Sequence, residues 1–284
     1  MGLRYDHVNN IFIYDEKMSG LMPNLMWHLT SECNLHCSFC FSKSGSQRKR
    51  IRIEDFKYYI KIFKNLGVQK VDISGGEPLL FDNLDLLCSL LSESKIFATI
   101  TTSAFADDSQ LEWLINNEKR FSRIILSLDA PYEDMHDSIR GQKGCFKKLL
   151  SLAKQLVLVS DRVRINTVCT DAISDKDTLN DFFSIITSMS LREWCLIQPL
   201  ISNGMKDVFD TVVSIIDQMD ITKVKIITRP NNIYSEYWVL EEDGMMFQRN
   251  QENNKYNIFS ENQLQDLYKA LRTDKGDEND GTEH

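Results

Sequence analysis

The segment Trp27-His-Leu-Thr-Ser-Glu-Cys33-Asn-Leu-His-Cys37-Ser-Phe-Cys40-Phe41 carries three cysteines at C-x₃-C-x₂-C spacing. It follows an apolar run near 24–30 that reads as a strand, so the thiols share one loop at a strand's end. Three thiolates on one loop suit three corners of an iron–sulfur cubane and leave the fourth iron to a non-protein ligand. With His28 or His36 they equally suit a Cys₃His zinc site, and simple burial is the third reading.

Working outward, strand-like runs recur near 70–74, 97–101, 122–128, 162–168 and 193–199. Helix-like segments lie near 53–66, 82–93, 109–116, 143–159 and 176–189, with apolar residues three and four apart. Alternation of this kind implies parallel strands joined by right-handed crossovers. The fold is then a doubly wound sheet or a complete or partial barrel, with chemistry at the strands' C-terminal ends. Beyond position 200 the pattern changes to a helix near 206–219, a strand near 223–228, a hairpin over 237–247 turning at Asp243-Gly244, and a last helix over 261–272. Residues 273–284 are polar and acidic, and are expected to be disordered.

The chain has 284 residues, 42% of them hydrophobic, enough for a large core. A formal charge of −8 disfavours a sequence-independent grip on nucleic acid. No window approaches the roughly 20 apolar residues of a membrane span, and Asp6 breaks the myristoylation pattern after Gly2. Seven cysteines, an odd number, fit a reducing compartment. The expectation is a cytoplasmic protein with neither membrane nor nucleic acid as partner. Cys88, Cys145, Cys169 and Cys195 are scattered, which argues against a second cluster.

The second strand runs into Val71-Asp-Ile-Ser-Gly75-Gly76-Glu77-Pro78. Paired glycines let backbone approach a ligand closely, and Glu77 can accept hydrogen bonds from an ammonium group. Together with the cysteine triplet, and with Phe39 immediately before the third cysteine, this segment resembles the radical S-adenosylmethionine (SAM) superfamily. The resemblance implies an α/β fold, a partial (β/α)₆ barrel over residues 22–200. An N-terminal segment 1–21 would precede it, and a C-terminal extension 201–272 containing the hairpin would cover the substrate. It further implies one [4Fe–4S] cluster on Cys33, Cys37 and Cys40. SAM would chelate the open iron and be cleaved reductively to a 5′-deoxyadenosyl radical that takes a hydrogen atom from substrate. By resemblance, Gly75, Gly76, Glu77 and Pro78 meet the SAM amino group, Ser127 and Arg140 its carboxylate or ribose, and Asn166 the ribose hydroxyls. Phe39 belongs to the same cofactor set. Ser103, in Thr101-Thr-Ser-Ala, stands where many relatives have Asn. A reductase or a flavodoxin- or ferredoxin-type protein is the implied electron donor.

A fainter resemblance, to viperin and its prokaryotic relatives, covers most of residues 25–260. It rests on Arg164-Ile-Asn-Thr-Val, on Glu193-Trp-Cys-Leu-Ile-Gln198-Pro-Leu and on Asn231-Asn-Ile-Tyr-Ser235-Glu-Tyr237-Trp-Val-Leu-Glu-Glu-Asp-Gly244-Met-Met-Phe247. Those antiviral enzymes dehydrate a nucleoside triphosphate such as CTP. The resemblance implies such a substrate, with Lys225, Asn231 and Tyr237 as its contacts. Two departures stand against it: Cys195 replaces a lysine that serves the triphosphate, and Glu236 interrupts a Ser-Tyr pair. Lys43, Arg48, Lys49, Arg50, Lys225 and Arg229 are the cations able to compensate, although the 48–50 run also reads as a solvated loop. A peptide or another small molecule is the alternative substrate, and a non-catalytic iron–sulfur or zinc module is the alternative class. Spacing singles out no acid or base.

Overall fold

In β4 (Lys70–Ser74), Val71 and Ile73 are fully buried in the main hydrophobic core, while Asp72 and Ser74 line a cavity on the opposite face. The same alternation holds along the parallel strands β3 (Asn24–His28), β5 (Phe97–Thr102), β6 (Phe121–Ser127), β7 (Val163–Val168) and β8 (Glu193–Ile197). Leu25, Trp27, Ile100, Leu126, Ile165 and Leu196 face the helices, whereas Met26, Thr101, Ile125, Ser127, Asn166 and Ile197 line the cavity. Side chains alternate across a strand with period two. A doubly wound parallel sheet covered on both faces would be apolar on both. A sheet curled around a polar lumen shows the alternation seen here.

The protein is described from a computed structural model, in residues 4–6, 11–13, 22, 24–40, 50–200, 206–231, 237–248 and 253–276. Between the strands run α1 (Phe56–Leu66), α2 (Leu84–Glu93), α3 (Asp108–Asn116), α4 (Glu133–Arg140), α5 (Cys145–Val159) and α6 (Lys176–Ser188). These are followed by α7 (Phe209–Asp217), β9 (Lys225–Arg229), β10 (Trp238–Leu240), β11 (Met245–Gln248), β12 (Tyr256–Asn257) and α8 (Glu261–Gly276). A separate antiparallel pair is formed by β1 (Arg4–Asp6) and β2 (Ile11–Ile13).

Among the described residues one ten-stranded sheet has the order β12-β11-β10-β3-β4-β5-β6-β7-β8-β9. From β10 to β9 every pairing is parallel. The sheet is therefore wider than the six parallel strands expected. Residues 201–272 do not merely overlie it, because β9 extends one edge and β10 the other. Met26 on β3 and Arg229 on β9 line the same cavity, so the sheet is strongly curled.

Helix α1 shows how the outer layer is built. Phe56, Tyr59, Ile60 and Phe63 fall at helical spacing on one buried face. Trp27 meets Phe63 edge-on at 4.8 Å between ring centroids and Tyr59 at 5.0 Å.

Two elements differ from expectation. Helix α4 was not anticipated, because its buried positions are His136, Asp137 and Arg140, and no apolar stripe marks it. Helix α8 runs to Gly276, past the expected boundary at 272, so the start of the supposed disordered tail is helical. Residues 277–284 lie outside the described residues.

Gly75 and Gly76 sit where no side chain fits. Gly75 has φ +130°, and a Cβ there would stand 2.4 Å from the Thr30 carbonyl oxygen; at Gly76 it would stand 2.0 Å from that of Glu32. Both obstacles are backbone, so relief requires moving the cysteine loop. Gly76→Ala is expected to destabilise the fold by about 1–3 kcal/mol or more, the range for overpacking. Thermal unfolding checks this, and an unchanged midpoint would contradict the close contact.

Candidate active site

The loop that carries Cys33, Cys37 and Cys40 is gripped from two sides. On the first, Leu29 donates to Ser74 O at 3.1 Å, Gly76 N to Thr30 O at 2.7 Å and Glu77 N to Glu32 O at 2.7 Å, extending the β3–β4 ladder past the strand ends. On the other side, His36 N and Ser38 N donate to the carbonyls of Arg140 and Ile139, both at 3.0 Å. The last carbonyls of a helix lack intrahelical partners, and the loop supplies them for α4. Gly141 ends that helix at φ +67°, close against His36.

The three thiols influence one another. Burial pushes the Cys33 thiol up to about 11, opposed by a backbone hydrogen bond from Leu35 and reinforced by the charges of Glu77, Cys37 and Cys40. Burial also raises Cys37, against the lowering influence of Arg140. Neighbouring thiolates resist joint ionisation in this half-buried loop, and a bound metal centre reverses that preference. Among the described residues no three His, Cys, Asp or Glu side chains converge as a single metal ion requires. A cubane puts each thiolate on a separate iron and needs no such convergence. Three soft thiolates on one loop are the donor set that a cubane takes.

Beside the loop, where the strands end, lies a cavity of about 190 Å³. Phe39, Ser127, Arg140 and Asn166, four residues expected at the cofactor, line it together with Asp129, Gln198 and Arg229. Asn166 Oδ1 is buried there without a hydrogen-bond partner among the described residues, which suits it to accept from a ligand hydroxyl.

Gly75, Gly76, Glu77, Pro78 and Ser103 are placed differently. The glycines admit the cysteine loop itself. Glu77 is buried, and its carboxylate accepts from Leu79 N at 3.2 Å, Thr102 Oγ1 at 2.6 Å, Ser103 N at 2.9 Å and Ser103 Oγ at 2.5 Å. Ser103 thus ties the end of β5 to Glu77, and Pro78 opens the short turn that follows Glu77.

Of the residues expected at the substrate, Asn231 donates through Nδ2 to Pro199 O at 3.0 Å and through its backbone N–H to Gln198 Oε1 at 2.7 Å. The Tyr237 ring lies 5.9 Å from the Arg229 guanidinium carbon. Lys225 is not brought to the cavity. It is exposed at the start of β9, paired with Glu193 in register, whereas Arg229 stands at the strand's C-terminal end. Lys43, Arg48, Lys49, Ser235 and Glu236 lie outside the described residues. Arg50 is engaged by Glu32 at 2.5 Å and Asp82 at 2.7 Å.

A family model for the radical SAM superfamily matches residues 27–182. The chain belongs to the radical SAM superfamily. That membership implies SAM and a [4Fe–4S] cluster, for which the thiol set and the adjacent cavity are fitted. Among curated relatives, a GTP 3′,8-cyclase of Clostridium botulinum is 31% identical over 165 residues, covering 55% of this chain and 50% of that protein. The S-adenosylmethionine-dependent nucleotide dehydratase RSAD2 of Oncorhynchus mykiss, a viperin, is 24% identical over 203 residues, covering 69% of this chain and 56% of the relative. The chain spans about half the length of the curated relatives it matches. Streptococcus suis SuiB, solved bound to S-adenosylmethionine, superposes with a TM-score of 0.72 at 20% identity, over 91% of this chain and 67% of that one. That likeness shows the fold. No described helix is long and apolar enough to cross a membrane.

Sequence reasoning did not place Asp72 at the cavity, nor Arg123, Arg164 and Glu193 on the inward faces of their strands. The available signal was a polar residue at every second position of strands otherwise fit for a parallel core. It also assigned no role to His136, whose Nδ1 accepts from Asp129 N at 3.2 Å. Burial pushes His136 down to about 4, with Asp129 opposing and Arg140 reinforcing that shift. The unfolded chain therefore binds this proton more readily. The corresponding stability is complete above about pH 6.5 and is lost as pH falls towards 4, by at most about 3 kcal/mol. Denaturant unfolding across this window should show the loss, and His136→Gln should flatten it; equal pH dependence in the two proteins would contradict the assignment.

Proposed function

We propose that this protein is a radical SAM enzyme acting on a nucleoside triphosphate, by viperin-type dehydration of the kind used in antiviral defence. In this reading Cys33, Cys37 and Cys40 hold the cluster. Phe39, Ser127 and Asn166 line the SAM position, and Glu77 offers a buried negative charge near the cysteine loop for the SAM ammonium. When bound, the cofactor pair supplies a 5′-deoxyadenosyl radical. The protein's own part is to orient the substrate hydrogen and to exclude water. A flavodoxin- or ferredoxin-type donor supplies the electron.

The observation that carries the substrate class is the charge inside the barrel. Arg164 is 2% exposed, has no hydrogen bond or ion pair among the described residues, and its Nε is buried without a partner. Burial lowers its pKa, as do the nearby cations Arg229 and Arg123, while Asp72 opposes them. Lys70 stands 3.7 Å from Asp72 and Arg123 3.1 Å from Glu193. Arg164 thus lies among Arg229, Arg123 and Asp72 with no side-chain partner of its own among the described residues. A buried guanidinium without a counter-charge is costly, and an anionic substrate removes that cost. Cys195, at the position of the lysine in viperin-like enzymes, lies in the same neighbourhood. Arg229 is the described cation nearest in role to that lysine. The nucleotide substrates named for the two curated relatives point the same way.

Anaerobic protein incubated with SAM, reductant and each nucleoside triphosphate in turn should release 5′-deoxyadenosine faster with one of them. Arg164→Gln should raise KM for that nucleotide about 10–100-fold, matching a charge-assisted bond of about 1.5–3 kcal/mol, without lowering nucleotide-independent SAM cleavage. A panel that stimulates nothing would remove the nucleotide reading and favour a peptide, as in the SuiB complex with precursor peptide SuiA. Cys37→Ala should abolish both the brown colour and SAM cleavage. Colourless wild-type protein holding zinc would make it a non-catalytic module.

A further inference from the structure

The Arg140 guanidinium is committed in several directions at once. Nη1 donates to Cys37 Sγ at 3.6 Å. Nη2 donates to Ser127 O at 3.1 Å and lies 2.5 Å from Asp129 Oδ2. The Phe39 ring centroid is 5.4 Å from the guanidinium carbon, and the whole group is 8% exposed. Superfamily resemblance puts this residue at the SAM carboxylate, yet the geometry aims one of its donors at a cluster-loop sulfur.

That position has electronic consequences. A hydrogen bond to a ligand sulfur and a cation beside it both favour the more negative, reduced cluster, and the reduction potential of iron–sulfur centres follows such contacts. Burial strengthens the effect, because little solvent screens the charge. Asp129 acts in the opposite sense. It is fully buried and held in place by Val168 N, which donates to Oδ1 at 2.9 Å, and it offsets the guanidinium charge at Nη2, the nitrogen not engaged with the sulfur.

We propose that Arg140 sets the reduction potential of the cluster through its hydrogen bond to Cys37 Sγ, and that Asp129 limits the upward shift by neutralising part of the Arg140 charge. The inference rests on the cluster assignment to Cys33, Cys37 and Cys40. The step concerned is the transfer of one electron from an external one-electron donor, dithionite in vitro, which takes [4Fe–4S]²⁺ to [4Fe–4S]⁺. No bond is made or broken and no proton moves. Arg140 is accordingly a positioning residue acting through Cys37.

The test is a mediated potentiometric titration of anaerobically reconstituted protein without SAM, followed by electron paramagnetic resonance. Iron and inorganic sulfide per chain are matched to wild type. Arg140→Gln should lower the ratio of reduced to oxidised cluster at a fixed potential about tenfold, which is about 59 mV for a one-electron couple. Asp129→Asn should raise the ratio, and Arg140→Lys should fall between wild type and Arg140→Gln. Equal midpoints in the loaded variants would overturn the proposal and leave the cluster assignment standing. If Arg140→Gln does not load, Asp129→Asn decides, and an unchanged or lowered ratio there overturns the proposal. Wild-type protein without an iron–sulfur signal would overturn the cluster assignment and this inference together.

Discussion

The site depends on a backbone contact rather than on a side chain. The cysteine loop lies so close to the turn after β4 that its carbonyls occupy the space where side chains at positions 75 and 76 would be. Hydrogen bonds from Gly76 and Glu77 fix it there, and the end of α4 holds the opposite side. A loop of three thiols that repel one another when ionised has little reason to be compact. Two rigid neighbours impose its shape before any metal arrives, so the entropy of ordering it is met by the fold.

The same contact explains what could be read from residues alone. The βα alternation, the cysteine spacing and the Gly-Gly-Glu-Pro turn were all legible, because each is a local pattern. The purpose of the glycines was not, since a close approach to ligand and a close approach to backbone leave the same mark in one dimension. Ser103, which stands where many relatives have Asn, brings both its hydroxyl and its N–H onto Glu77. Helix α4 was invisible because its inner face is His136, Asp137 and Arg140, which apolar periodicity does not detect. Lys225-Ile-Ile-Thr-Arg229 was visible as a strand, but its place beside β8 depends on a pairing about thirty residues distant that no local pattern encodes.

Electrostatics divide the barrel along its axis. Near the cysteine loop Arg140 is paired with Asp129, whereas Arg164, close to Arg229 and Arg123, is buried with no ion pair among the described residues. The outer faces of β3 to β8 are largely apolar and packed against helices. Folding thus spends hydrophobic burial on the outer layer and reserves the inner one for polar groups that the fold alone does not satisfy.

Strands β9 and β10 are successive in the chain, yet they sit at opposite margins of the parallel array. Whichever way the earlier strands assemble, both margins stay bare until this late segment has been synthesised. Bare margins invite pairing with other chains. The segment from β9 to β10 therefore serves as a double selvedge: the cysteine loop is made well ahead of it, and the strands between stay open at both margins until it follows.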